Sequence, residues 1–121
     1  MKSPIIVCEN GDISIFKSVA EAERYLEPID VSNHEYVAYD AEGCLLDLGV
    51  IAVSRSAWFG LSRYYVDGVK IGPSEDLPGH AADLKKALSE FLPELGVSDS
   101  WTRTASLEEL LDKTIHHVGY C

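Results

Sequence analysis

The sequence predicts an α+β fold: a mainly antiparallel sheet of five or six strands, one N-terminal helix and two C-terminal helices, in the order ββ-α-ββββ-αα. Three observations predict it. Short β-branched and aromatic runs follow one another at hairpin spacing from Pro4 to Ile71. Two Ser-x-x-Glu sequences, Ser18 to Glu21 and Ser106 to Glu109, mark helix starts, because each side chain can satisfy an orphan backbone N–H of the other's turn. Beyond His80, apolar residues recur at three- and four-residue spacing, the period of a helix face. Strands followed by helices place the C-terminal pair over one sheet face. With 121 residues, the chain is read as a single domain, 1–121.

The elements follow in order. Pro4 to Cys8 and Ile13 to Phe16 flank Asn10-Gly11, whose tolerance of positive φ suits a tight type I′ hairpin turn. Ser18 caps a helix expected from Val19 to Glu27, with Val19, Ala22 and Leu26 on one face. Pro28 ends it, since a residue before proline is pushed out of the α region. Glu35 to Asp40 reads as a strand, with Tyr36 and Tyr39 on opposite faces. Ala41-Glu42-Gly43 is a turn, and Cys44 to Ser54 a long apolar strand in which Gly49 suggests a bulge or a close contact. Trp58 to Val66 is a further strand, and Asp67-Gly68 a second hairpin signal leading into Val69-Lys70-Ile71. Gly72 to Gly79 reads as a loop. His80 to Leu92 reads as a helix closed by Pro93 and Gly96. Leu107, Leu110, Leu111, Ile115 and Val118 form the stripe of the last helix.

Charge is the most informative quantity. Ten Lys plus Arg stand against twenty Asp plus Glu, a net charge of −10. Such a chain repels phosphate backbones, which argues against direct nucleic-acid binding. The imbalance is regional: from Glu21 to Asp47 there are eight acids and one base, Arg24. The plain alternative is solubility, which a net charge away from zero also serves. No apolar run approaches the roughly 18 residues of a membrane-spanning helix. The first residues lack the apolar stretch of a secretory signal. Cys8, Cys44 and Cys121 are odd in number and far apart, which points to reduced thiols and a cytoplasmic setting.

Catalytic and cofactor motifs are absent: no Gly-x-Gly-x-x-Gly, phosphate loop, Gly-x-Ser-x-Gly or Cys-x-x-Cys. Asp40-Ala41-Glu42-Gly43 lacks most ligand positions of a calcium loop and reads as a turn. His116 and His117 are adjacent on a helix and point about 100° apart, so they suit a cationic helix C-terminus better than a metal site. Cys8 sits in an apolar strand, where a thiol is ordinarily buried and inert. The expectation is therefore a non-enzyme with no cofactor and no metal.

The stretch Phe16-Lys17-Ser18-Val19-Ala20-Glu21-Ala22-Glu23-Arg24-Tyr25-Leu26-Glu27-Pro28-Ile29-Asp30-Val31, with Glu35-Tyr36, Tyr39-Asp40 and Gly43-Cys44-Leu45-Leu46 after it, resembles small acidic immunity proteins of bacterial polymorphic-toxin and contact-dependent growth inhibition systems. The resemblance implies a cytosolic inhibitor that neutralises one cognate toxin, often a nuclease. It supplies no catalytic residue. From charge and placement, the partner-binding candidates are Glu23, Glu27, Asp30, Glu35, Asp40, Glu42 and Asp47, with Tyr36 as an aromatic anchor. The expected partner is a protein toxin with a basic surface; the alternative is a structural or regulatory interaction module, an adaptor or subunit without a toxin partner.

Overall fold

A computed structural model describes residues 2–56, 63–73 and 80–121. Its first two strands, β1 (Ile5–Glu9) and β2 (Asp12–Phe16), form the expected antiparallel hairpin, with Ile5 opposite Phe16 and Glu9 opposite Asp12. Asn10 and Gly11 make its turn with φ of 48° and 88°, the left-handed values that these two residue types tolerate. Helix α1 (Val19–Tyr25) starts where Ser18 Oγ accepts the N–H of Glu21 at 3.2 Å. It ends before the expected Glu27. Pro28 does stop it, but also opens a second short helix, α2 (Pro28–Ser32), in a stretch to which the sequence assigns no element. Proline suits a first helical position because that N–H has no helical partner anyway.

Strand β3 (Val37–Tyr39) is shorter than expected. The Glu35 N–H donates to Asp30 O and His34 takes φ of 57°, so Glu35 belongs to the turn that closes α2. Strands β4 (Leu45–Ser56) and β5 (Arg63–Pro73) then pair along their length. Here the expected turn at Asp67-Gly68 is corrected. Asp67 lies opposite Ala52 and Gly68 opposite Ile51, inside one continuous strand. Neither residue adopts the positive φ of a primed turn, because β4 offers ladder partners throughout and pairing overrides the local preference. Gly49 likewise pairs in regular register with Lys70, without a bulge. Positions 58–62 of the expected strand, and 74–79 of the expected loop, lie outside the described residues.

Among the described residues, the sheet has five strands in the order β2-β1-β3-β4-β5, with every neighbouring pair antiparallel. The α+β class stands, and the described strands number the lower of the two expected values.

Strand alternation divides the core between two faces. Ile5, Val7, Phe16, Ala38, Leu46, Val69 and Ile71 meet Ala22, Leu26 and Val31 of α1 and α2. Ile6, Ile13, Ile15 and Tyr39 meet the C-terminal helices. Those helices are α3 (Ala81–Phe91), α4 (Asp99–Thr104) and α5 (Leu107–Val118), with a 3-10 turn at Leu92–Leu95. The expected two C-terminal helices are corrected to three: α4, only six residues long, is too short to show a helical apolar period in the sequence. Gly96 closes the 3-10 turn with φ of 91°, and Ser106 and Glu109 complete the expected capping box of α5. Tyr39 is buried and Tyr36 half-buried on opposite faces, as alternation requires. Among the described residues, no helix is long and apolar enough to cross a membrane.

Candidate acidic docking face

Three carboxylates from separate elements converge beside α2. Glu9 ends β1 and follows Ile5 and Val7 onto the α1–α2 face of the sheet. Asp30 lies in the first turn of α2, where a negative charge suits the helix dipole. Glu35 is folded back over Asp30 by the left-handed His34 and by its own N–H bond to Asp30 O, 3.0 Å long. Carboxylate oxygens of the three lie within 4.8 Å of one another. Tyr36 Oη donates to Asp30 Oδ2 at 3.2 Å. Among the described residues, no Lys, Arg or His forms an ion pair with any of the three.

The electrostatics follow from this crowding. The Glu35 carboxyl is pushed above its ordinary value, first by its side-chain hydrogen bond with Asp30, then by the Asp30 charge, with Glu9 adding a smaller push. Desolvation raises the Tyr36 hydroxyl, which keeps its proton for Asp30. Three close carboxylate oxygens suit a hard cation or a guanidinium or ammonium group, since either relieves the mutual repulsion.

The structure gives the other sequence candidates different places. Asp40 is 4% exposed and occupied by the chain itself. Its Oδ1 accepts the N–H groups of Glu42 and Cys44, at 2.9 and 3.0 Å, and its Oδ2 accepts that of Lys2 at 3.2 Å. Burial raises its pKa, but these backbone donors outweigh it and hold the carboxyl below the ordinary value. Asp40 thus organises the turn before β4. Glu42 is exposed and lies 4.0 Å from Lys2 Nζ. Glu23 is half-buried, and its Oε2 accepts the N–H of Ile71 at 2.7 Å. Glu27 is exposed at the N-cap of α2. It lines a groove of about 670 Å3 between α1 and β5. Asp47 is exposed on β4, on the sheet face of Leu45 and so opposite the Glu9 cluster.

Of the eight candidates, then, Asp30, Glu35 and Tyr36 meet. Glu9 joins them from outside the acidic stretch Glu21–Asp47; its period-two spacing from Ile5 and Val7 is the sequence signal that puts it on their side of the strand.

Comparison with protein-family models, curated proteins and solved structures finds no match for this chain. The site is therefore read from its own chemistry.

Cys8 is half-buried, and desolvation pushes its thiol up to about 11. A thiol of that kind is scarcely ionised at neutral pH and is a poor nucleophile.

Proposed function

We propose that this chain is a binding protein that captures a positively charged protein, a cognate bacterial toxin, and neutralises it by occupying its basic surface. The observation that carries the reading is the convergence of Glu9, Asp30 and Glu35 within 4.8 Å, with the Tyr36 hydroxyl on Asp30 and no basic ion-pair partner among the described residues. A basic side chain seated there relieves the repulsion within the trio and gains charge-assisted hydrogen bonds. Tyr36 beside it supplies a stiff amphipathic contact of the kind enriched in binding hot spots.

The net charge of −10 acts at longer range. Complementary fields raise association rates toward ~10⁸–10⁹ M⁻¹s⁻¹ at low salt. Speed matters to an inhibitor that must reach a toxin before the toxin acts. A nuclease is the favoured target, because its cleft must already be lined with Lys and Arg to hold polyanionic substrate. Stable capture needs on the order of 800 Å2 per partner.

The test partner is a toxin encoded in the reading frame next to this chain's own, where that frame encodes one. Co-expressed with that protein, the chain is expected to restore growth, and the folded triple variant E9Q/D30N/E35Q is expected to lose the protection. Protection by the triple variant equal to that of the parent chain overturns the reading.

A further inference from the structure

Strand β5 is an edge of the sheet among the described residues. The direction of its backbone groups can be read from one hydrogen bond. Ile71 donates its N–H to Glu23 Oε2, at 2.7 Å, and so points it away from β4. Backbone groups alternate in direction along a strand, so Val69 and Asp67 also turn their N–H and C=O outward. The α1–β5 groove runs past these two residues, with the exposed side chains of Tyr25 and Ile51 in its lining. Glu23 fills the place of a pairing partner at Ile71; Asp67 is exposed, and Val69, its side chain in the core, keeps its outward backbone groups at the floor of the groove.

We propose that the β5 edge at Asp67–Val69 takes up an extended basic segment of the partner protein as an added strand, seated in the groove against α1. This rests on the reading of the chain as a binder of basic proteins and names a second point of contact for it. Outward N–H and C=O groups in alternation match an extended polypeptide backbone. Charge selects which polypeptide. The groove lining carries Glu23, Glu27 and Asp67 against Lys70 and Arg24. Arg24 is turned onto its own helix, Nε donating to Ala20 O at 3.3 Å. A second copy of the chain brings the same net charge of −10 and is repelled.

The test uses the full chain and a synthetic peptide of alternating lysine and valine, about ten residues long, the upper length of an ordinary strand. Amide hydrogen exchange is followed residue by residue at low salt. The peptide is expected to slow exchange at Asp67 and Val69 by about tenfold or more, a tenfold change being readily resolved. Asp67→Pro removes one outward N–H without touching the β4 ladder, a placement proline tolerates on an edge. It is expected to weaken peptide binding, while Glu108→Gln, one exposed charge removed from α5 on the other side of the sheet, leaves the protection in place. Protection at Asp67 and Val69 is read independently of the growth assay on E9Q/D30N/E35Q, so a failure here is distinct from a failure of the acidic docking face. No peptide binding, binding without protection at Asp67 and Val69, or a folded Asp67→Pro chain that binds as the parent does overturns the proposal. Protection that appears without peptide and grows with protein concentration, together with a dimer in sedimentation, also overturns it and assigns the edge to a second copy.

Discussion

The carboxylate of Glu23 accepts the backbone N–H of Ile71 across 48 residues of sequence, at 2.7 Å. A side chain on α1 thereby does for the edge strand what a neighbouring strand would do, and it locks α1 onto β5. Glu23→Ala leaves the N–H of buried Ile71 without its partner. The expected loss is about 1–3 kcal/mol of unfolding free energy, the desolvation cost of an unmet donor. Glu23→Gln keeps an accepting oxygen and should lose less. Urea unfolding of the two variants side by side checks the ordering.

Gly43 and Gly11 separate two kinds of glycine requirement. Both have positive φ, 82° and 88°. A Cβ on Gly43 falls 2.4 Å from Ala81 Cα, whereas one on Gly11 meets nothing within 4 Å. Gly11→Ala therefore carries only the left-handed backbone penalty, about 1–2 kcal/mol. Gly43→Ala adds overpacking against the start of α3, typically ~1–3 kcal/mol more. Thermal unfolding should rank Gly43→Ala well below Gly11→Ala.

Acid unfolding tests the two unusual carboxylates in opposite directions. Asp40 has its pKa lowered in the folded chain. Its stabilisation is present above the ordinary value of 3.8 and is lost as pH falls through the lower folded value. Asp40→Asn should be less stable at neutral pH and lose less stability on acidification. Glu35 has its pKa raised above 4.5, so the folded state holds that proton more tightly. Its mutual repulsion with Asp30 weakens stability near neutrality and is relieved as pH falls toward the ordinary carboxylate range. Glu35→Gln should remove that relief. Stability curves of both variants against pH show the two signs.

Thiol labelling reads the environment of the cysteines. Cys121 is exposed, while Cys8 is half-buried with its thiol raised to about 11. At neutral pH, Cys121 should react with an alkylating reagent well before Cys8, because only the thiolate attacks. Mass spectrometry of peptides from partially labelled protein reports the order. Rapid labelling of Cys8 would contradict its reading as a shielded, inert thiol.

Local signals with a strict backbone requirement were legible in the sequence. Asn10-Gly11 made its turn, and Ser106 with Glu109 capped α5 through both reciprocal bonds. Asp67-Gly68 carried the same kind of signal and failed, because a long partner strand ran beside it. Helix α2 was hidden by Pro28, which reads equally as a stop and as a first helical residue. The acidic excess was visible in composition, but its division of labour was not. Asp40 and Glu23 lie in the same run of acids as Asp30 and Glu35, yet backbone N–H groups occupy the first pair. Which carboxylates face outward together depends on strand alternation and on the turn at His34, neither of which a charge count registers.

The most direct measurement is the association rate constant between the chain and its partner as a function of salt, by stopped-flow mixing. The parent chain should associate fast at low salt and slow steeply as salt screens the acidic face. The triple variant E9Q/D30N/E35Q should associate about tenfold more slowly at low salt, with a flatter salt dependence. A triple variant with the parent's rate and the parent's salt slope contradicts the assignment of Glu9, Asp30 and Glu35 as the docking face.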